Sequence, residues 1–405
     1  MHSLENMDRS IEGRIDQGKG GVLYIPRWFP SELDPQLGVF VAKHAQAVAA
    51  SIPVAVLYAV PDPGAKSKYR IQSQHTQGVY TLVNYYRPAR QGHLLHPLLA
   101  AWRYYKAAVM GWRHIVGEWG TPEVLHAHVL LRPVVLAALI SLRWKIPYVV
   151  TEHWTGYVFG FFQRKPAWYR FLARFLVRRA SCLTVVSESL RKAMIDNGFR
   201  HPCFRIVPNV VEVDGNCEER SLGKERPLML TVADLVERNK DVSGVLRALH
   251  ALVGKGHNLE YHIIGGGEDQ DFLRSLAQDL SLLNRHVFFH GRRDNAYVLQ
   301  FIRKCDFMVT NSRVETFSVA TAEALACGKP VIATICGGPE FFVDESNGIL
   351  IEPGNQAQLE DAIVYMLSHY QDYDRRKLRS SIEAQFSPEA VSRQFVQVYQ
   401  EAMKR

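Results

Sequence analysis

The sequence predicts an α/β protein of two domains, and three observations carry that expectation. From residue 21 onward, short runs rich in Val, Ile and Leu alternate with stretches of helical period, the pattern of parallel strands joined by helices. The alternation breaks once, at the polar stretch DGNCEERSLGKERP, and then resumes. Polar and glycine-rich features gather where strands run into helices, the ligand edge of a parallel sheet. A chain of 405 residues with 47% hydrophobic content is long enough for two cores.

Residues 1–20 contain acids and lack an apolar h-region, so they read as a disordered lead-in rather than a signal peptide. The first domain is expected over residues 21–213. GVLYIP is its opening strand, followed by a loop with Pro30, Pro35 and Gly38 and a helix from Val39 to Ala50. This loop has no GxGxxG, so a dinucleotide-binding opening is unsupported. PVAVLYAV at 53–60 and Val79 to Tyr85 read as strands flanking a polar loop, and Leu94 to Met110 as a helix. VLHAHVL at 124–130 is a strand whose His126 and His128 are two residues apart and project to one side. A helix from Pro133 to Leu142 leads to IPYVVTEH, which ends in Glu152 and His153. CLTVVS at 182–187 is a strand, Ser187 is placed to cap the helix ESLRKAMIDNG, and FRIVPNV closes the domain.

A linker is expected at 214–226, a second domain at 227–385, and a C-terminal helix at 386–405 packing back toward the first domain. PLMLTV, LEYHIIGGGE and HVFFHG read as strands, DLVERNK as a loop, and Val242 to Leu252 as a helix. The stretch NSRVETFSVATAEALACGKPVIAT, residues 311–334, is the chemical centre. Glu315 lies on a loop where it can accept from sugar hydroxyls. Glu323 lies on the next helix, a position suited to a vicinal diol, unless it is only a surface charge. The amides near Ser318 are free to hold a phosphate. Gly337 and Gly338 follow the next strand and face the same place.

The net charge of +8 is unevenly placed: from Gln91 to Lys192 there are 14 Lys and Arg against four acids. Such asymmetry suggests an anionic partner for the first half. Within it, residues 163–180 carry Trp168, Phe171, Leu172, Phe175 and Leu176 at helical spacing beside Arg170, Arg174 and Arg178. An interfacial helix on anionic lipid (residues 163–179) and an ordinary packed helix both fit this pattern. No nucleic-acid motif accompanies the charge. No run of 18 apolar residues suggests a membrane span. The six cysteines form no close metal-binding pair and read as reduced thiols of a cytoplasmic chain. His128, Glu152 and His153 fall near strand ends, and a zinc set of these three competes with purely structural histidines; no metal is expected.

On these motifs the chain resembles glycosyltransferase family 4, the glycosyl transferases group 1. ETFSVATAE is similar to the family's E-x7-E signature and ALACGKPVIAT to its continuation. LYIPRWFPSELDPQLGVFVAKHAQAVA, VLHAHVL, PYVVTEH, VVSESL and VPNVV resemble further family segments, so the resemblance runs from about Gly21 to Phe395. It implies the glycosyltransferase B fold, two Rossmann-like domains facing a central cleft. It also implies retaining transfer from a nucleotide sugar, UDP- or GDP-linked, held mainly by the second domain, with no cofactor. Glu323 would then contact ribose, Glu315 the transferred sugar, Lys240 the diphosphate, and Gly337 with Gly338 the loop closing over it. Gly38 would belong to a flexible loop beside the acceptor, and His128, with His153 nearby, would lie next to the transferring sugar.

The acceptor is expected to be a glycan or a polyprenyl-diphosphate-linked oligosaccharide in surface polysaccharide synthesis, met by a peripheral enzyme on the inner face of the plasma membrane. One position departs from the pattern: Asp234 stands where family members carry a phosphate-gripping arginine, and Arg238 or Arg292 would have to replace it. A sugar-nucleotide epimerase of the same architecture, and a silent nucleotide-sugar-binding subunit, are the competing readings.

Overall fold

A computed structural model describes residues 20–89, 92, 96–212 and 226–404. The expected lead-in and nearly all of the expected linker lie outside them. Two compact units result. One comprises the chain from residue 20 to Val186 with Arg191–Val210 and Val391–Arg405, and the other comprises Ser187–Leu190 and Val211–Ala390.

The first unit is built on eight strands: β1 Val22–Pro26, β2 Val54–Pro61, β3 Tyr69–Thr76, β4 Val79–Tyr86, β5 Val124–His128, β6 Tyr148–Glu152, β7 Cys182–Val185 and β8 Phe204–Ile206. Its helices are α1 Val39–Ala49, α2 His96–Glu118, α3 Arg132–Trp144, α4 Ala167–Arg179 and α5 Glu188–Asp196. The strand order is β3-β4-β2-β1-β5-β6-β7-β8, parallel except for β3. The winding direction therefore reverses between β1 and β5, and a crevice opens at the carboxyl ends of those two strands.

β3 corrects the sequence reading, which has a polar loop over residues 61–77. YRIQSQHT is a mostly exposed edge strand, antiparallel to β4, so it carries almost no buried apolar face by which to recognise it. The core joins Tyr24, Val41, Val56 and Val149 to Phe395, Val398 and Tyr399 of the last helix.

The second unit has six parallel strands: β9 Leu228–Val232, β10 Glu260–Ile264, β11 Val287–Gly291, β12 Phe307–Thr310, β13 Val331–Thr334 and β14 Gly348–Ile351. Its helices are α6 Glu237–Lys240, a single turn inside the expected loop, α7 Val242–Gly254, α8 Gln270–Asp279, α9 Asn295–Lys304, α10 Val319–Ala326, α11 Gln356–His369 and α12 Arg375–Phe386; α13 Pro388–Met403 ends the chain. The order β11-β10-β9-β12-β13-β14 reverses between β9 and β12.

The expectation that every cysteine is a free thiol is overturned at one pair. Cys182 and Cys203 form a disulfide, with Cα atoms 4.9 Å apart. β7 and β8 run parallel with Leu183 opposite Phe204, which brings together cysteines 21 residues apart in sequence. Cys305, Cys327 and Cys336 are buried. Among the described residues no helix is long and apolar enough to cross a membrane.

Candidate active site

In the second unit the switch point gathers the 311–334 stretch. β12 ends at Thr310 and α10 begins at Val319, so the loop between them lies at the carboxyl edge beside β9. Lys240 closes α6 and places Nζ 2.5 Å from Glu315 Oε1, while Ser312 Oγ donates to the same oxygen at 2.8 Å. The Glu315 amide donates to Cys336 O at 3.1 Å, which ties this loop to the turn of Gly337 and Gly338. A Cβ on Gly338 would lie 2.7 Å from the Phe317 carbonyl carbon, so the two loops approach as closely as only glycine permits. Glu340 secures the turn by accepting from the amides of Cys336 and Gly337 at 3.2 and 2.7 Å.

Ser318 precedes α10 in the left-handed region, φ 72°, and its Oγ is 2.7 Å from Thr321 Oγ1. No side chain caps the helix and no acid occupies its first turn. The positive end of α10 is therefore open to an anion. Glu323 sits one turn further in and is 4% exposed, which excludes the surface-charge alternative.

Burial alone would depress the Lys240 pKa, but the charge of Glu315 and its hydrogen bond outweigh that effect and hold the ammonium above its ordinary range. The lysine is charged at neutral pH and poised to share its protons with a phosphate.

The first unit presents buried imidazoles at its own switch point. His126 is fully engaged in the core: Nδ1 is 2.7 Å from Tyr399 Oη and Nε2 is 2.6 Å from Thr151 Oγ1. His128 Nδ1 lies 3.2 Å from His153 Nε2. His44 of α1 joins them, its Nε2 held 3.0 Å from Pro208 O. Donor atoms of His44, His128 and His153 lie within 4.8 Å of one another, close enough to hold a metal ion after a small adjustment. Burial pushes the pKa values of His126, His128 and His153 well down and that of His44 to about 4, so all four rings are neutral at pH 7.

Glu152 is not part of that cluster, which corrects the ligand set read from sequence. Its Oε1 accepts from the amides of His153 and Trp154 at 2.9 and 3.0 Å, and its Oε2 from Leu130 N at 3.1 Å and Tyr157 Oη at 3.0 Å. Burial raises its pKa, and these four donors oppose the rise. The carboxylate thus fixes the loops that follow β5 and β6. Gly38 caps α1 with φ 74°, and a side chain there would strike the Trp28 backbone.

Two family models match the sequence, a glycosyl transferase 4-like domain over residues 37–210 and the glycosyl transferases group 1 over residues 216–383, together most of the chain. The chain belongs to the glycosyl transferases group 1 family. An uncharacterized glycosyltransferase of Methanocaldococcus jannaschii is 25% identical over 61% of this chain and 66% of its own length. Sucrose-phosphate synthase from Thermosynechococcus elongatus superposes with a TM-score of 0.74 at 18% identity, covering 95% of this chain and 99% of the other. Anabaena Alr3699/HepE, solved in complex with UDP-glucose, gives 0.69 at 18% over 94% and 99%. The structural likeness is one of fold, the glycosyltransferase B architecture of two Rossmann-like domains.

Against this family pattern, Glu315, Lys240, Ser318, Glu323, Gly337 and Gly338 converge in the second unit, and His128 and His153 meet in the first. Arg292 Nη2 lies 3.6 Å from Asp234 Oδ1, so a cation stands beside the position where the sequence resemblance leads one to expect an arginine. Arg238 points elsewhere, to Glu268 at 3.8 Å. Sequence reasoning missed His44, whose only signal is a polar residue on the buried face of VFVAKHAQAVA.

Proposed function

We propose that this glycosyltransferase moves a sugar, with retention of configuration, from a nucleotide-sugar donor, UDP- or GDP-linked, to a glycan or lipid-linked acceptor. The observation that carries the reading is the Lys240–Glu315 pair beside the uncapped start of α10, with buried Glu323 one turn along it. Breaking the bond between sugar and diphosphate builds negative charge on the leaving phosphate, and Lys240 with the α10 amides stabilises that charge. Arg292 contributes from beside Asp234. Glu323 accepts from the ribose hydroxyls.

Glu315 is already paired with Lys240 and Ser312, an arrangement suited to gripping sugar hydroxyls rather than to attack on the sugar. Retention then follows from same-face substitution: the acceptor oxygen bonds to the anomeric carbon as the carbon–phosphate oxygen bond breaks, and the acceptor proton passes to that phosphate oxygen. Neutral His128 offers a hydrogen bond to the transferring sugar. Isothermal titration with UDP-, GDP- and ADP-sugars, repeated on Glu323→Ala, tests the donor site; one saturable donor, weakened in the variant, is expected, and no binding across the panel counts against it. The anomeric configuration of the product, read by NMR, tests retention.

Helix α4 supports a peripheral position on the inner membrane face. Trp168 and Phe171 are 66% and 65% exposed, and Arg178 and Arg179 are exposed beside them. Arg174 does not join this face: its Nε donates to Asn197 O at 3.0 Å. Phe171→Ser with Arg178→Glu should release the protein from vesicles rich in phosphatidylglycerol, and unchanged sedimentation would remove the proposal.

A further inference from the structure

The crevice of the first unit has its own charge pattern. The chain leaves β1 through Arg27 and enters α3 at Arg132, on the two strands that flank the winding reversal. Two pockets open there and share Arg27 and Trp28. One, of about 130 Å³, holds both arginines in its wall with Tyr58, Tyr86 and Tyr104. The other, of about 90 Å³, adds Lys165, Trp154 and Tyr169. No carboxylate lines either pocket.

None of the three cations has a carboxylate partner among the described residues. Arg27 Nη1 donates to Leu130 O at 3.1 Å, and its guanidinium also hydrogen-bonds Tyr169. Arg132 donates to Tyr86 and lies 5.3 Å from the Tyr104 ring centre. Lys165 sits 6.0 Å from the Tyr169 ring. The helix that begins at Arg132 has no side-chain cap and no acid in its first turn, so its positive end adds to the same field. The nearest acid, Glu152, lies behind the Tyr157 wall and spends its oxygens on four hydrogen-bond donors, so the like charges converging on this concave site call for a ligand that brings the counter-charge.

We propose that Arg27 and Arg132 recognise a phosphate or diphosphate group on the acceptor, with the aromatic walls holding the sugar or lipid next to it; this rests on the glycosyltransferase reading above. A carboxylate has two oxygens and is served by one guanidinium fork. Two forks and a helix terminus together need the additional oxygens of a phosphate. The aromatic rings supply flat apolar surface for whatever adjoins the anion.

The test uses Lys240→Ala as background, so that diphosphate binding at the donor site is suppressed. Inorganic pyrophosphate is titrated calorimetrically into that protein, and into the same protein carrying Arg27→Gln or Arg132→Gln. Saturable binding that weakens about tenfold or more with either glutamine is expected. Circular dichroism melts confirm folding, and because both arginines are exposed, two independent variants guard against a local collapse. Binding that is absent, or that ignores both substitutions, overturns the proposal. Farnesyl diphosphate distinguishes the source: tighter binding than pyrophosphate assigns the group to a lipid-linked acceptor, equal binding to a soluble phosphorylated sugar, and both support the site provided that the arginines are required. Failure of nucleotide sugars to bind the unmodified protein refutes the donor reading instead, and is read separately.

Discussion

Lowering the pH from 7.5 to 5 should destabilise the first unit through its buried histidines, and His44 sets the scale. Its ring is held near a pKa of about 4 by burial, against about 6.5 in an unfolded chain. The unfolded state then binds more protons on the acid side, so stability is complete above about pH 6.5 and is lost as the pH falls toward the folded value. Over this range the loss from His44 alone is about 2 kcal/mol. His126, His128 and His153 are shifted in the same direction, and His44 faces the last two with ring centres 6.2 and 5.8 Å away, so each proton makes the next harder to place.

The assay is urea unfolding at each pH, followed by fluorescence. His44→Gln keeps a donor for Pro208 O and removes the titration, so its stability should fall by about 2 kcal/mol less across the same range. Comparing the two proteins subtracts His290 of the second unit, whose pKa is also lowered by burial. Equal slopes in the two proteins, or a flat profile in the unmodified one, would refute the reasoning.

Lys240→Met should lower kcat by about 100-fold or more, because the leaving phosphate loses its nearest cation, while Lys240→Arg should restore part of the rate; steady-state kinetics with whichever donor the titration panel selects decides it. Tyr399→Phe removes the hydroxyl 2.9 Å from Tyr24 Oη and 2.7 Å from His126 Nδ1, and should cost about 1–2 kcal/mol of unfolding free energy, read from urea titrations. Cys203→Ser should cost about 3 kcal/mol on the chain-entropy account of a cross-link across 21 residues. That difference should vanish when the unmodified protein is measured in excess dithiothreitol.

Both sheets were legible because buried parallel strands such as VLYIP and VIAT are apolar throughout and leave an unambiguous run. β3 was not, because an exposed edge strand has no face to bury. Glu315 and Glu323 were readable as a pair because eight residues span one loop and one helical turn. The burial of Glu323 was hidden, since its helix VATAEALA is apolar on nearly every side and only packing shows that the acid points inward. Arg27 and Arg132 carry no local signal, and His44 carries only that of a polar residue on a buried helix face. The two arginines meet only because β1 and β5 lie side by side across the winding reversal, although about a hundred residues separate them. The Cys182–Cys203 pair is hidden in the same way by the crossover between β7 and β8.

The last helix gives the first unit a dependence on the order of synthesis. Val391, Phe395, Val398 and Tyr399 belong to the core built around Tyr24 and Val149, yet they leave the ribosome only after the whole second unit has been made. Until then Tyr24 and His126 lack their shared hydroxyl partner, and the apolar face awaiting the helix stands open to water. The second unit, continuous from Val211 to Ala390 apart from four residues, is thus free to finish first, and the unit that begins the chain is the one that must wait. A fragment ending at residue 212 should accordingly expose an unfilled core and aggregate, whereas adding the α13 peptide in trans should recover its solubility.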